Sequence, residues 1–238
     1  MRYLKLFLFF TLFVLFSCEK EYTITFTENH LASKASENIT INIPKAEGKA
    51  SIVDPINTRI ENHVIKSLQI GSSNSIQAKS IGASIDAFNN EFEAFKNDFP
   101  KTQQIWEAQI DGEVLYQSDQ IISTSITAYT NTGGAHGILK ISFLNFNSQN
   151  GSIISNSELF NDKEGVEKIA KPYYQNAIED KNILSNPDEF TWPENIAYTE
   201  DGLVFLYNTY EIADYSEGVI EFKIPFDEVQ PYLVFNNF

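Results

Sequence analysis

Cys18 is the only cysteine in a chain of 238 residues. No disulfide can form within it, so its fold must be held by an ordinary packed core. The residues before Cys18 make that constraint sharper. Arg2 and Lys5 precede an unbroken apolar run, Leu6 to Phe16 (LFLFFTLFVLF), of 11 residues. A spanning helix needs about 20 such residues. The run therefore reads as the h-region of an export signal, not as an anchor. Exported proteins of this size commonly add disulfides, and this one has none to add.

The segment Leu15-Phe16-Ser17-Cys18 resembles a bacterial lipobox, with an aliphatic residue at −3, a small residue at −1 and cysteine as the new first residue. That resemblance implies cleavage after Ser17 and lipidation of Cys18. Residues 1–17 are then a lipoprotein signal peptide. The mature protein is tethered to a bacterial membrane in the cell envelope, facing outside the cytoplasm. With Cys18 committed to lipid, no thiol remains as nucleophile or metal ligand.

Hydrophobic residues make up 42% and aromatics 13%, which is the composition of a globular chain and not a disordered one. The net charge is −15. It is uneven: residues after 150 hold 17 of the 32 acids but five of the 17 bases. Such a field repels nucleic acid, whose binding needs basic patches. It attracts cationic partners and speeds their encounter; plain solubility is the alternative reading.

Periodicity divides the chain. Tyr22 to Thr27 and Ile39 to Ile43 alternate and are rich in β-branched residues, predicting two strands with a loop over 31–38. Pro44 ends the second. Asp54-Pro55 predicts a helix start, followed by the stripe Ile56, Ile60, Val64 and Leu68. A second helix over 84–99 carries Ile85, Phe88, Phe92, Phe95 and Phe99, and Pro100 stops it. From 104 the period becomes two. Asp111-Gly112 reads as a hairpin turn, and 121–129 and 139–146 as strands, with a tight turn at Gln149-Asn150-Gly151. A helix over 162–180 turns Val166, Ile169, Tyr173, Ala177 and Ile178 inwards. Strands at 203–207 and 219–224 follow, and Pro225 opens a short helix or turn. The expected fold class is α+β: an antiparallel meander with packed helices, after an N-terminal signal segment.

Two segments carry potential chemistry. In Tyr129-Thr-Asn-Thr-Gly-Gly-Ala-His-Gly137, Gly133, Gly134 and Gly137 permit positive φ and close backbone approach, and paired glycine amides can cradle an anion. The Lys-Ser/Thr of a phosphate loop is missing. His136 is a candidate base, or else a turn residue bonded to backbone or a neighbouring ring. The second segment runs from Tyr207 to Gly218 (YNTYEIADYSEG) and holds three tyrosines and three acids. Tyrosine buries area at low entropic cost while keeping a polar tip. Tyr207, Tyr210, Glu211 and Tyr215 are accordingly candidates for a binding surface, or for a loop that caps the core. Glu211, Asp214 and Glu217 fit neither a Ca²⁺ loop nor a singled-out glycosidase pair. No metal site, catalytic residue or cofactor is expected.

The order of these motifs, followed by Glu158-Leu159-Phe160, Tyr198 to Phe205, the tyrosine-rich segment and Phe222-Lys-Ile-Pro225, resembles an extracytoplasmic domain of unknown function. That domain is shared by RsiV-type anti-sigma factors, which sense lysozyme, and by the N-terminal part of PdaC-type peptidoglycan deacetylases. The likeness covers about residues 105–235, and the upstream part resembles the smaller domain that precedes it. It implies a small α+β domain over 18–104 and an RsiV-like α+β domain over 105–238. It further implies a non-catalytic, lipid-anchored binding module for lysozyme, a basic protein, or for a cell-wall glycan. No catalytic residue, deacetylase activity or sigma-factor signalling is carried over. A wall-glycan hydrolase using His136 with Glu211 or Glu217, and a scaffold lipoprotein, are the alternatives.

Overall fold

The computed structural model describes residues 23–32, 38–71, 78–178, 183–184 and 189–237. Cys18 and the signal segment lie outside the described residues. So do Tyr22 and most of the expected 31–38 loop. The fold is α+β. Among the described residues no helix is long and apolar enough to cross a membrane.

Six strands form the first sheet in sequence order: β1 (Thr25–Ala32), β2 (Ile39–Glu47), β3 (Glu107–Gln117), β4 (Ile121–Asn131), β5 (Ile138–Asn147) and β6 (Ile153–Ile154). All neighbours are antiparallel except β2 and β3, which run parallel from Ile39↔Ala108 to Asn42↔Asp111. A parallel pair needs a long crossover. Helices α1 (Ala50–Ser67) and α2 (Ile81–Asp98) supply it.

The α1 stripe is buried as expected: Ile56, Ile60, Val64 and Leu68 are each at most 2% exposed. They share one core with Ile41, Ile110, Ile126 and Phe146 of the sheet. The helix begins a turn earlier than Asp54-Pro55 indicates, because Ile52 and Val53 already donate to the Lys49 carbonyl. Pro55 therefore lies inside the helix, and Asp54 is not its cap. In α2, Ser80 caps by accepting from the Ala83 amide, 3.2 Å away. Ile85 and Phe88 are buried, Phe92 and Phe95 partly so, and Phe99 is 58% exposed. The aromatic stripe thus leaves the core at its end.

Asp111-Gly112 is not a turn. Both residues lie in mid-β3, and the β3–β4 turn falls at 118–120. Asp111 accepts from Asn42 Nδ2 on the neighbouring strand and from Gln109 Nε2 on its own, both at 2.8 Å. A Cβ on Gly112 would stand 2.7 Å from Ile126 Cδ1 and from Pro44 Cδ. The glycine serves close strand approach here, not chain reversal. Pro44 does not end β2 either. Beyond Asn42 that strand has no partner on its β3 side, a position that tolerates a residue without an N–H.

The second part holds α3 (Lys163–Ala177), β7 (Asn195–Tyr198), β8 (Gly202–Tyr207), β9 (Ile220–Pro225) and the short α4 (Phe226–Val229). β7–β8–β9 form an antiparallel sheet. The face of α3 is rotated from the expected one: Val166, Ala170 and Tyr174 are buried, while Ile169, Tyr173 and Ala177 pack at its margin. Strand β4 serves both cores, with Ile122 and Ile126 on one and Ile121 on the other. The first sheet and its core continue across residues 104/105, since Trp106, Ala108 and Ile110 pack with α1 and α2. The second core begins only with Ile154, apart from Ile121.

Candidate functional site

β5 has β4 on one side and, at Asn145–Phe146 only, β6 on the other. Further along that edge, side-chain amides bond Ile141 and Phe143. Asn208 accepts from the Ile141 amide and donates to the Ile141 carbonyl, both at 2.8 Å. Asn195 accepts from the Phe143 amide at 2.9 Å. Asn145 donates to the Ile196 carbonyl at 2.8 Å and accepts from Ser123, whose Oγ in turn accepts from the Tyr198 amide. Buried backbone groups need such partners. This polar seam docks β7 and β8 against β5 and hangs the loop after β8 over the loop before β5.

The two sequence motifs therefore meet. His136 stacks on Tyr215 with ring centroids 3.9 Å apart and planes 15° from parallel. Tyr215 Oη donates to the Gly137 carbonyl at 3.3 Å, and His136 Nδ1 lies 3.2 Å from that same oxygen. Tyr210 extends the aromatic surface, 5.7 Å from Tyr215 and 68% exposed. It is the only non-glycine residue with positive φ (68°) among the described residues. Side chains rarely adopt that conformation without local support.

Glu211 provides the support. Its carboxylate accepts from the Asn208 amide (2.8 Å) and the Glu194 amide (2.7 Å). Burial pushes its pKa up, against the lowering effects of those two bonds and of Lys140. Glu211 is a brace for the loop, and both oxygens are occupied. Among the described residues His136 forms no ion pair with a carboxylate. Among the described residues, no group of three His, Cys, Asp or Glu side chains is placed to hold a metal ion.

The glycines position the first loop. Gly133 has φ +90° and its amide donates to Asn131 Oδ1 at 3.1 Å, so it is not free to cradle an anion. A Cβ on Gly133 would collide with the Gln104 side chain, and one on Gly137 with the Tyr129 ring. Gly134 (φ +109°) faces open space. Tyr207 departs from its expected role. It is fully buried, donates to the Thr191 carbonyl at 2.6 Å and packs on Tyr174 and Phe222. Its inward direction follows from strand alternation in β8. Gln104 and Asn195 shape the site without a local sequence signal; Tyr129 and Asn208 also shape it and lie inside the noted motifs, though neither was singled out.

The geometry defines an α+β protein in which a helix-covered sheet carries a smaller three-stranded sheet on its open edge. Residues 32–139 match the family model described as Deacetylase PdaC, and residues 157–227 match Protein of unknown function (DUF3298). In that order the two matches are consistent with a smaller domain paired with a larger domain of unknown function. No curated protein matches it. Among solved structures, a DUF3298 family member from Bacteroides fragilis superposes with TM-score 0.63 at 17% identity, covering 91% of this chain and 95% of that one. A DUF3298 family protein from Pseudomonas aeruginosa gives 0.59 at 18%, covering 90% and 94%. These likenesses establish the fold.

Proposed function

We propose that this protein is a lipid-anchored recognition module of the cell envelope, which binds a wall-related ligand without transforming it. The ligand is a basic muralytic protein such as lysozyme, or a cell-wall glycan. One observation carries the reading: two loops distant in sequence are braced by buried amides and a carboxylate so that His136, Tyr215 and Tyr210 form one aromatic surface. Rigid, amphipathic tyrosines on loops held by a scaffold are characteristic of recognition surfaces. The net charge of −15 favours a cationic partner. The lipobox-like segment ending at Cys18 supports a position at a membrane surface, outside the cytoplasm.

Calorimetric titration of the full chain with lysozyme, and separately with solubilised wall glycan, tests the reading. Binding that weakens steeply with salt supports a basic protein partner; salt-insensitive binding of glycan supports the other ligand. Binding of neither, or turnover of glycan by the purified protein, overturns the proposal. Mass spectrometry of protein from cells should find cleavage before Cys18 and an acylated thiol. An unmodified cysteine with residues 1–17 retained overturns the anchoring.

A further inference from the structure

The aromatic surface does not stand alone. Seven large hydrophobic side chains are exposed among the described residues, and five of them (Phe99, Ile105, Ile138, Leu139 and Tyr210) lie on segments that adjoin the 132–137 loop directly, through Gln104, whose side chain meets Gly133, or through Tyr215, which stacks on His136. The pairings Glu107↔Asn131 and Thr130↔Ile138 put that loop at one end of the first sheet. At this end, next to Gly133, a wide-mouthed depression of about 600 Å³ lies between the end of α2 and the chain leading to β3. Its lining includes Phe95, Phe99, Pro100 and Gln104, with Asp98 and Lys101 among its polar residues. Phe95 packs against Trp106 with centroids 5.3 Å apart, so the floor of the depression rests on the core. The volume lies within the range that holds a small ligand or an anchoring side chain. Clustered exposed apolar groups of this kind mark interaction surfaces.

Topology says what such a surface faces. Gln117, at the far end of β3, donates to the Ile24 carbonyl at 2.8 Å. Strand β1 is thus entered at the opposite end of the sheet. Ten residues of β3 separate the two ends by on the order of 30 Å. The six steps from Cys18 to Ile24 add at most about 20 Å of tether. The apolar end is therefore the one remote from the anchor, and a protein, not lipid, is the occupant it fits.

Resting on the recognition reading above, we propose that the depression beside Phe99 receives an apolar side chain of a cationic protein partner. The Tyr210–Tyr215–His136 surface contacts the same partner. Depression and platform then form one interface, with an aromatic or aliphatic anchor in the pocket and acidic groups such as Asp98, Glu107 and Asp214 around it. Anchors seated in pockets dominate interfaces of this kind.

The test uses the full chain with lysozyme as the probe, followed by calorimetry at low salt. Phe99→Ser should weaken binding at least tenfold. Ile153→Ser removes an exposed apolar side chain at the opposite end, 41% exposed on β6, and should change it less than twofold. Both sites are exposed, so neither variant endangers folding. Lysozyme binding that is unaffected by Phe99→Ser overturns the pocket while leaving the recognition reading intact. No binding by the unmodified chain overturns this proposal and the lysozyme reading together. Loss of binding to phosphatidylethanolamine–phosphatidylglycerol vesicles on Phe99→Ser would assign the surface to lipid and also overturn it.

Discussion

His136 and Tyr215 lie ring on ring, 3.9 Å between centroids, although one precedes β5 and the other follows β8. Each comes from a motif that looks like an isolated turn, and their contact is what turns two loops into one surface. The stack is worth about 0.5–1.5 kcal/mol beyond simple burial. A double-mutant cycle on His136→Ala and Tyr215→Phe or Ala, read by urea denaturation, should return a coupling in that range for the alanine pair. Tyr215→Phe keeps the ring and should lose only the bond to the Gly137 carbonyl. A coupling near zero would mean that the rings do not meet in solution.

Tyr210 separates stability from recognition. Its φ of 68° costs a side chain on the order of 1 kcal/mol, and its ring is mostly exposed. Tyr210→Gly should leave stability unchanged or raise it by up to about 1 kcal/mol. The same substitution should weaken ligand binding. Thermal unfolding and calorimetry on one preparation check both halves.

The amide seam predicts a different pattern. Asn208→Ala strands the Ile141 amide and carbonyl, at about 1–3 kcal/mol. Hydrogen exchange should rise first at Ile141 and across the 208–217 loop, ahead of α1. Uniform exchange throughout the chain would show that the seam does not act locally.

His63 sets an acid limit. Burial, then the charges of Lys140, Arg59 and Lys66, push its pKa down to about 4 from 6.5. The folded protein resists protonation that the unfolded chain accepts. The associated stability is fully present above about pH 6.5 and is lost as pH falls towards 4, on the order of 3 kcal/mol. Urea midpoints at pH 7 and pH 4.5 should diverge for the native protein, and His63→Leu should narrow that gap. An equal pH dependence in both would sink the assignment.

Gly112→Ala tests the close strand approach in mid-β3. The added methyl meets Ile126 Cδ1 and Pro44 Cδ at 2.7 Å and should cost about 1–3 kcal/mol. A hairpin-turn glycine with ordinary φ would tolerate alanine.

Periodicity alone determined much of this protein. The Ile56–Leu68 stripe, the alternation of β4 and β5, the Asn150-Gly151 turn and the order of motifs that placed the chain among its relatives are all local patterns, and local patterns survive in one dimension. Tertiary structure decided the rest. It made Asp111-Gly112 a strand crossing, because strands on either side crowd that position. It buried Tyr207 yet exposed Tyr210, three residues on, because β8 ends between them. It brought the 132–137 and 208–217 loops together through asparagine amides that complete the edge of β5. Nothing in the spacing of an asparagine tells which distant strand will leave its backbone unpaired, so the shared surface exists only once the second sheet has docked.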